Sequence, residues 1–561
     1  MESTPNSKKP QFIHNQMITW QRPEEGLKQG RFWYVEEKQT KDEIREIYKF
    51  DYIGLYKLLE MAQIGRFRNM KEETILVYAN ENLVKQVAPE DVKDFVIRLA
   101  EEQEDNSLLE MIYRGSSAYL NETRILNCKF IDLNFLQSTA KKQYLFFQNI
   151  AYEITKNSIQ QKPYAKLDGY VWQEQLAEAK ANLDSNAIKV LKKDNVFHLE
   201  IDDDIKNSDY WRYLYYTSFY HWRYYEERKD LPEIQRQTEK QRLQQERAIL
   251  AKLSALGYML CSYKDPANAK AVICMDAKMS EVGESNGRTG KSIFGRSIEK
   301  MLKTYYINGR DTKIFEGSHP YDGLDESHKM IFIDDADQHL NFALFFAPIT
   351  GDMQVNTKNA IKFTIPFAIS AKYLITTNHA IRGSDASSVA RQFLLGFADF
   401  FSDERSPTDV FGRRLFDEWD FAQWNAFYQI CASAVQIYLT YGFIESETED
   451  LTNRRLRQEI GENFITWAES YFIPAAEEGE YNTNIGCKVA KKAAYEDFEK
   501  MFETYVRKNV NIRLFKKKLM QYASFRGWEY NAAQKGEDIK ESGVEYFIYT
   551  IKSTKTDENL H

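Results

Sequence analysis

Short apolar stretches alternate with longer amphipathic segments between residues 258 and 440. The stretches AVICMD, KMIFIDD, YLITTN and FLLGFADFF each have the length of a single buried strand. Strands that alternate with helices are typical of a mainly parallel sheet with helices on its faces. The pattern therefore predicts an α/β domain in this part of the chain.

The rest of the pattern predicts a multidomain α/β protein. The polar residues 1–30 are expected to form a flexible arm, and 31–115 mix short strands with helices in a small α+β domain. Residues 116–230 are predicted to be a helical region, followed at 231–257 by a charged connecting helix. At 455–561, helices followed by a β-hairpin have the order of a winged-helix-like domain.

One segment of the helical region is dense in aromatic residues, DYWRYLYYTSFYHWRYYEER at 209–228. Aromatic side chains can stack on nucleic-acid bases. Their spacing here covers more than one face of a helix, and this favours packing in a helical core.

Composition and charge limit the classes of protein to which this chain could belong. The chain has 561 residues and a formal net charge of −8, so any contact with nucleic acid must come from a local basic patch. The five cysteines are scattered without metal-ligand spacing, which favours reduced thiols in a cytoplasm. No apolar run is long enough for a membrane span, and no membrane partner is expected.

The stretch GESNGRTGKS, residues 283–292, has the composition of a phosphate-binding loop, although Ser285 replaces the first glycine of the strict motif. It lies between a predicted strand and a predicted helix, which is the context that such a loop needs. Lys291 is expected to reach the β- and γ-phosphates of ATP, and the Ser292 hydroxyl to bind Mg²⁺. The expected nucleotide-binding residues are Gly283, Asn286, Gly287, Arg288, Thr289, Gly290, Lys291 and Ser292.

Two acids end the apolar stretch KMIFIDDAD. Asp334 is expected to hold Mg²⁺, and Asp335 to polarise the water that attacks the γ-phosphate. A solvated acidic turn is the alternative, but the nearby phosphate loop favours the catalytic interpretation. Asn378 ends the next apolar stretch, where a side chain could sense the γ-phosphate or the water. Arg391 could reach the phosphate of a neighbouring subunit, with a surface salt bridge as the alternative.

In this order, GRTGKS, IFIDDAD, KYLITTN and ARQFLLGF resemble the motifs of superfamily 3 helicases, and among them the phage, plasmid and poxvirus primase-helicases. The resemblance implies an AAA+-like P-loop ATPase domain at 258–445, and the family's variation at the first loop glycine makes Ser285 compatible with it. Asn378 matches the family's sensor asparagine and Arg391 its trans-acting arginine. Relatives often have two adjacent arginines where this chain has VARQ, and the further candidates for the trans-acting residue are Arg405, Arg413 and Arg414.

The resemblance also implies a homo-oligomer, a hexameric ring that moves on single-stranded DNA in a central channel. In the family, a hairpin between the acid pair and the sensor asparagine grips DNA with a basic residue. Lys358 matches that residue, with Lys362 as second choice. A ring explains how an acidic chain can hold DNA, because only the channel has to be positive.

The winged-helix-like domain carries cations on its second predicted helix. Arg513, Lys516, Lys517 and Lys518 cluster there and are expected to contact duplex DNA. The alternative is a solvated helix face that contacts subunits or other proteins.

The part of the chain before residue 255 is expected to serve assembly, loading or partner contacts. Asp202, Asp203 and Asp204 could supply the paired acids of a primase, but a capping turn at a helix start is favoured. The leading hypothesis is an ATP-driven replicative helicase of a phage or another mobile element, in the cytoplasm of a bacterial host and with replication proteins as further partners. The alternatives are a primase-helicase with an unrecognised primase half, and an ATPase switch or defence protein that does not unwind DNA processively.

Overall fold

The computed structural model describes residues 31–39, 44–69, 72–182, 187–194, 196–277, 288–311, 313–317, 319–337, 340–358, 362–378, 386–446, 460–472 and 484–551. The predicted arm 1–30 and the loop residues Gly283, Ser285, Asn286 and Gly287 lie outside them. The chain forms two compact units, of which the first contains residues 1–137 and 162–176 and the second contains the rest. The first unit therefore extends beyond the predicted boundary at 115.

The first unit is an α+β domain, as the pattern predicts. Its four-stranded sheet has the order Ile64–Arg68, Thr74–Asn80, Leu83–Val87 and Val171–Trp172. A separate hairpin pairs Trp33–Gln39 with Ile44–Phe50. The helices are Tyr52–Met61, Pro89–Glu101, Asn106–Tyr119 and Glu122–Ile125. Their apolar faces share one core with the sheet, which includes Leu55, Leu59, Val96, Leu108 and Ile112.

A five-stranded parallel sheet organises the second unit. In chain order its strands are β1 (Ala271–Asp276), β2 (Thr304–Asn308), β3 (Met330–Ala336), β4 (Lys372–Thr377) and β5 (Gln392–Phe397). Across the sheet the order is β2, β3, β4, β1, β5, and every pair is parallel. All residues of β1 and β4 are buried, as expected of parallel strands covered on both faces. The predicted helix-covered parallel sheet is confirmed.

The region predicted to be helical at 116–230 is mostly β-structure between Lys142 and Ile201, so that prediction is wrong there. A three-stranded sheet and a hairpin occupy this stretch; their strands are Lys142–Phe146, Ala151–Thr155, Ile159–Lys162, Ile188–Lys193 and Val196–Ile201. Strands this short show too few alternations to be separated from helical periodicity by pattern alone. Short helices follow at Asp203–Lys206, Asp209–Thr217 and Trp222–Glu226.

The aromatic segment packs into the core, as predicted. In the helix Asp209–Thr217, which we call α1, the side chains of Tyr210, Trp211 and Tyr213 are buried. The Tyr210 hydroxyl lies 2.8 Å from Ser297 Oγ, and the Tyr213 hydroxyl donates to the Gly290 carbonyl at 2.8 Å. The buried part of the segment therefore packs against Gly290, at the end of the predicted phosphate loop, and the remaining aromatic side chains are half-buried.

The predicted connecting helix is a core helix. It extends over Glu239–Leu260, which we call α2, and every residue from Ala248 to Leu260 is buried. It packs against Phe421–Tyr441, a second buried helix that we call α4. The prediction of a connector failed because the charged first half dominated the pattern, whereas AILAKLSALGYML is apolar except for Lys252 and Ser254. Both of these side chains are buried and hydrogen-bonded.

The contact between α2 and α4 depends on Gly257. A Cβ atom at this position would overlap the Ala434 carbonyl group, and this backbone atom cannot move away as a side chain could. We expect Gly257→Ala to lower the free energy of unfolding by about 1–3 kcal/mol, because the helices would have to separate. The midpoint of thermal unfolding measures the effect. An unchanged or higher midpoint would contradict this close helix packing.

The helix Lys291–Glu299, which we call α3, follows the phosphate loop and packs on β3. Smaller elements complete this part of the second unit: helices at Lys313–Glu316, Phe346–Thr350, Ala386–Ala390 and Pro407–Phe411, and a hairpin of Met353–Val355 with Phe363–Ile365. All five cysteines are free. Within the described ranges, no helix is both long and apolar enough to cross a membrane.

The C-terminal segment has its own hydrophobic core, which includes Phe464, Trp467, Phe498, Phe515 and Tyr549. Its helices are Glu462–Phe472, Lys491–Met501, Glu503–Asn509 and Ile512–Arg526, and its strands are Val489–Ala490, Trp528–Tyr530, Ile539–Glu541, Val544–Phe547 and Tyr549–Ile551. The predicted order of helices followed by a β-hairpin is present.

Candidate nucleotide and DNA site

Polar side chains converge where the parallel strands end. Asp276 ends β1, Asn308 ends β2, and Asp334 and Asp335 lie near the end of β3. Asn378 follows β4 directly. Ligands of open α/β sheets bind outside the carboxyl ends of the strands, where the strand order reverses. From β1 the chain continues to β2, at one edge of the sheet, and the last strand, β5, pairs with the opposite side of β1. The strand order therefore reverses at β1.

The predicted phosphate-binding helix begins where the motif requires. Gly290 has φ 94°, a left-handed conformation that glycine adopts without strain, and α3 starts with the next residue, Lys291. The first backbone N–H groups of a helix have no intrahelical acceptor and carry a partial positive charge. The start of α3 thus presents anion-binding groups at the carboxyl edge of the sheet.

Lys291 lies within this site and pairs with an acid that the sequence analysis did not single out. Its side chain is only 8% exposed, and its ammonium group contacts the buried carboxylate of Asp276 and lies 3.0 Å from Thr289 Oγ1. Thr289 donates to the same carboxylate oxygen of Asp276 at 2.6 Å. The strand before the loop therefore supplies an anionic partner for the lysine. Asp276 ends an apolar strand, much as Asp334 lies near the end of another. An acid at the end of a predicted strand is therefore the sequence feature that could have identified Asp276.

Ser292 and Asp334, both predicted to hold Mg²⁺, are brought together. Ser292 Oγ donates to Asp334 Oδ1 at 2.7 Å. Thr376 Oγ1, on β4, donates to the same oxygen at 2.6 Å. On the other side, the Tyr306 hydroxyl lies 3.5 Å from Asp334 Oδ2. Burial and the negative charge of Asp334 raise the pKa of Tyr306, so this hydroxyl keeps its proton.

A β-bulge in β3 places Asp334 and Asp335 opposite the same residue of β4. Ile333 pairs with Ile375 and Ala336 with Thr377, so Asp334 and Asp335 together lie opposite Thr376. Asp335 has φ 56°, a conformation unusual for a residue with a side chain. Its N–H donates to Thr376 Oγ1 at 2.8 Å, the hydroxyl that also binds Asp334. Successive strand residues normally face opposite sides of a sheet, and bulges next to functional sites redirect side chains.

Both oxygens of the Asp335 carboxylate have partners. Asn378 Nδ2 donates to Oδ1 at 3.3 Å, which brings the predicted sensor to the predicted catalytic acid. Arg310 Nε donates to Oδ2 at 2.5 Å, from the turn after β2. Sequence reasoning did not find Arg310, because no strand or motif pattern singles out a turn arginine.

The donor set suits Mg²⁺ better than a metal held by protein alone. A hydroxyl oxygen and a carboxylate oxygen are hard ligands, and Mg²⁺ usually takes one or two of these and completes its shell with water and substrate phosphates. In the part of the chain that the structure describes, no group of three or more His, Cys, Asp and Glu side chains could enclose a metal ion. Ser292 and Asp334 therefore fit an ion that arrives with the nucleotide.

Arg391 does not lie in this site. It precedes β5, and its carbonyl accepts from the Ala271 N–H at the start of β1, so it lies at the amino edge of the sheet. A strand of this length spans roughly 20 Å, and Arg391 is therefore far from the acids of its own chain. Its guanidinium packs over the Phe346 ring and donates to the Ser387 carbonyl.

The other arginine candidates pair with acids of their own chain. Arg405 contacts Glu226 at 2.9 Å, and Arg413 contacts Asp209 at 2.7 Å. Arg414 lies 3.5 Å from Glu418. Arg288, predicted to bind nucleotide, pairs with Asp403 at 2.8 Å on an exposed surface.

A β-hairpin is present where the DNA-gripping hairpin was predicted. Its strands are Met353–Val355 and Phe363–Ile365, and Lys358 and Lys362 are both exposed in the turn between them. Asp322 Oδ1 accepts from the Lys358 N–H at 3.1 Å, and His319 Nδ1 lies 3.2 Å from the Asn356 carbonyl. The Lys358 backbone is therefore held by a residue outside the hairpin.

The C-terminal cations do not form one surface cluster. Arg513 and Lys517 are exposed on the helix Ile512–Arg526, but Lys518 faces inward and donates to the Ile460 carbonyl. Burial lowers the pKa of Lys518 to about 8. Lys516 pairs with Asp538 at 3.0 Å. The expected duplex-contacting set must therefore exclude Lys518, because adjacent helix positions point in different directions and only one face meets solvent.

The acids considered for a primase form the favoured capping turn. Asp202 is the N-cap of Asp203–Lys206, and its carboxylate accepts from the Asp204 N–H at 3.0 Å.

Comparisons with known proteins give structural matches but no family. No family model matches the chain, and no curated protein matches it. One similar solved structure is described as the A form apo structure of the NrS-1 C terminal region-CTR, with 12% identity, a TM-score of 0.37, and coverage of 89% of this chain and 100% of that chain. A second is the same region described as CTR(305-718), with 12% identity, a TM-score of 0.30, and coverage of 88% and 98%.

Proposed function

We propose that this protein is an ATP-dependent DNA helicase of superfamily 3 that acts as a hexameric ring in the replication of a phage or another mobile element. The observation that carries the proposal is the contact between Ser292, at the start of α3, and Asp334, at the end of β3. This contact brings together the stretches GRTGKS and IFIDDAD, which carry the resemblance to the helicase motifs. Strand displacement on a forked duplex, measured with and without ATP, tests the proposal.

The nucleotide would bind at the start of α3. Its phosphates would accept from the first N–H groups of the helix, and Lys291 would leave Asp276 for the β- and γ-phosphates. Ser292 and Asp334 would hold Mg²⁺, which neutralises charge on the phosphates when it is bound. Thr376 keeps Asp334 oriented through its hydroxyl.

Hydrolysis would use Asp335. A carboxylate can polarise a water molecule only through an oxygen that is free to accept its proton. Arg310 and Asn378 each donate to one oxygen of Asp335, which leaves a lone pair on each oxygen for the water. Asn378 is amide-bearing and close to Asp335, and it would orient the water or sense the γ-phosphate.

DNA would bind through the hairpin. The chain has a net charge of −8, and a ring of hairpin tips would concentrate positive charge where DNA passes. Arg391 lies too far from its own acids to act on the same nucleotide, so it would act only in an assembly in which it reaches the site of a neighbour.

The alternatives predict different outcomes. A primase-helicase would make primers from ribonucleotides, but Asp202 is engaged as a helix cap. A nucleotide switch or defence protein would hydrolyse ATP without displacing a strand. The exposed Lys358, whose backbone N–H is held by Asp322, favours translocation on DNA over a switch without a DNA grip.

Lys358→Ala should leave ATP hydrolysis without DNA near the parent value, because Lys358 does not contact the nucleotide site. It should remove the stimulation of hydrolysis by single-stranded DNA and abolish unwinding. The log–log salt dependence of single-strand binding should flatten by about 0.7 for each DNA phosphate that the variant no longer neutralises. ATPase assays and DNA-binding titrations over a series of salt concentrations measure these effects.

Lys517→Ala is the matched control, since it removes an exposed lysine outside the ATPase domain. It should weaken duplex binding and keep single-strand stimulation. Full stimulation in Lys358→Ala would overturn the channel assignment, and Lys362→Ala would be the next variant to test.

A further inference from the structure

An acid lies beside the lysine that is proposed to grip DNA. The Asp322 carboxylate accepts from the Lys358 backbone N–H, and both residues are exposed. A negative charge at this place opposes phosphate binding by Coulomb repulsion. The contribution of Asp322 is therefore its hydrogen bond, which holds the Lys358 backbone against a loop outside the hairpin.

That loop is attached to β2. The Tyr305 hydroxyl donates to the Asp322 carbonyl at 2.7 Å, and the Tyr321 hydroxyl lies 3.0 Å from that of Tyr373 on β4. Leu324, directly after the loop, is buried in the core that covers this face of the sheet. Asp322 is thus held by its backbone while its side chain holds the hairpin.

The same strand contacts the acid pair from its other face. Tyr306 follows Tyr305 and places its hydroxyl near Asp334. At the end of β2, the Gly309 N–H donates to the Asp334 carbonyl at 2.7 Å, and Arg310 pairs with Asp335. Neighbouring residues of one strand therefore contact the Asp322 loop on one side and the proposed hydrolysis site on the other.

We infer that Asp322 is a positioning residue that ties Lys358 to β2, and through β2 to the acid pair. The inference rests on the proposed function for its nucleotide and DNA. When Mg²⁺ and nucleotide change the contacts of Asp334 and Asp335, β2 passes the change through Tyr305 and Asp322 to Lys358. Two sites are coupled in this way when one structural element is biased by both.

Hydrogen exchange at the Lys358 amide reports on this hydrogen bond directly. In the parent, this amide should exchange at least about 10-fold more slowly than in Asp322→Ala. An exposed N–H without a hydrogen-bond acceptor exchanges readily with solvent. Mg²⁺ with a non-hydrolysable ATP analogue should change the rate in the parent but not in Asp322→Ala. Asp322→Asn keeps an acceptor oxygen without the charge and should behave like the parent, and Tyr305→Phe should reduce the nucleotide effect.

ATPase assays of the same variants complete the test. Asp322→Ala should hydrolyse ATP normally without DNA and lose most of the stimulation by single-stranded DNA, with recovery in Asp322→Asn. Equal exchange of the Lys358 amide in the parent and Asp322→Ala would overturn the positioning role, and so would an Asp322→Asn variant that behaves like Asp322→Ala. Failure of the parent to hydrolyse ATP would count against the proposed function, and the exchange comparison would still decide the role of Asp322.

Discussion

Lys291→Ala should reduce ATP hydrolysis by at least about 100-fold, because the transferred phosphate loses its main cation in a site with little water. Nucleotide binding should weaken as well, since the amine is proposed to contact both terminal phosphates. Steady-state phosphate release by the purified protein measures the first effect, and fluorescence titration with a labelled nucleotide measures the second. Normal turnover would remove the site assignment altogether.

The structure adds a control to this experiment. Lys291 is the cation of the buried Asp276 carboxylate, and removing one partner of a buried ion pair typically costs about 3–5 kcal/mol of stability. A loss of activity in Lys291→Ala could then reflect unfolding. The double variant Lys291→Ala/Asp276→Asn avoids the unpaired charge, should unfold near the parent temperature, and should still fail to hydrolyse ATP. Recovery of hydrolysis in this variant would place the defect in folding.

Asp335→Asn should lower the rate of hydrolysis by roughly 100- to 10,000-fold and leave nucleotide affinity nearly unchanged. An amide cannot accept the proton of the attacking water, and general bases contribute this range of rate. Single-turnover hydrolysis and equilibrium binding, measured on the same protein, separate the two quantities.

Asp334→Asn is the matched variant one residue earlier. It should weaken Mg²⁺-dependent binding more than Asp335→Asn does, because Asp334 is the acid in contact with Ser292. Two variants that both hydrolyse ATP at the parent rate would mean that this bulge is an ordinary acidic turn.

The sequence predicted the parallel sheet and the placement of Lys291, Ser292 and Asp334 at its carboxyl edge. This was possible because strands, loop and helix follow each other within one domain, and parallel strands must end at the same edge. The partners of these residues were not predicted. Asp276 and Thr376 reach the site only through the strand order, which the chain order of the strands does not reveal.

The failures outside the site have physical causes as well. The strands between Lys142 and Ile201 are too short for a clear period. The helix α2 changes along its length from a charged half to a buried half, and an average over both halves describes neither. Lys518 was grouped with its neighbours by sequence, although burial depends on the direction of each side chain.

In the proposed function, the Lys291–Asp276 pair would make nucleotide binding an exchange of partners for one ammonium group. The phosphates would have to compete with the Asp276 carboxylate, which already contacts Lys291 and accepts a hydrogen bond from Thr289. Separating this ion pair would lower the net free energy gained on binding. A nucleoside diphosphate offers less negative charge than a triphosphate and competes less well. In the proposed function, Asp276 would therefore favour the departure of the diphosphate product.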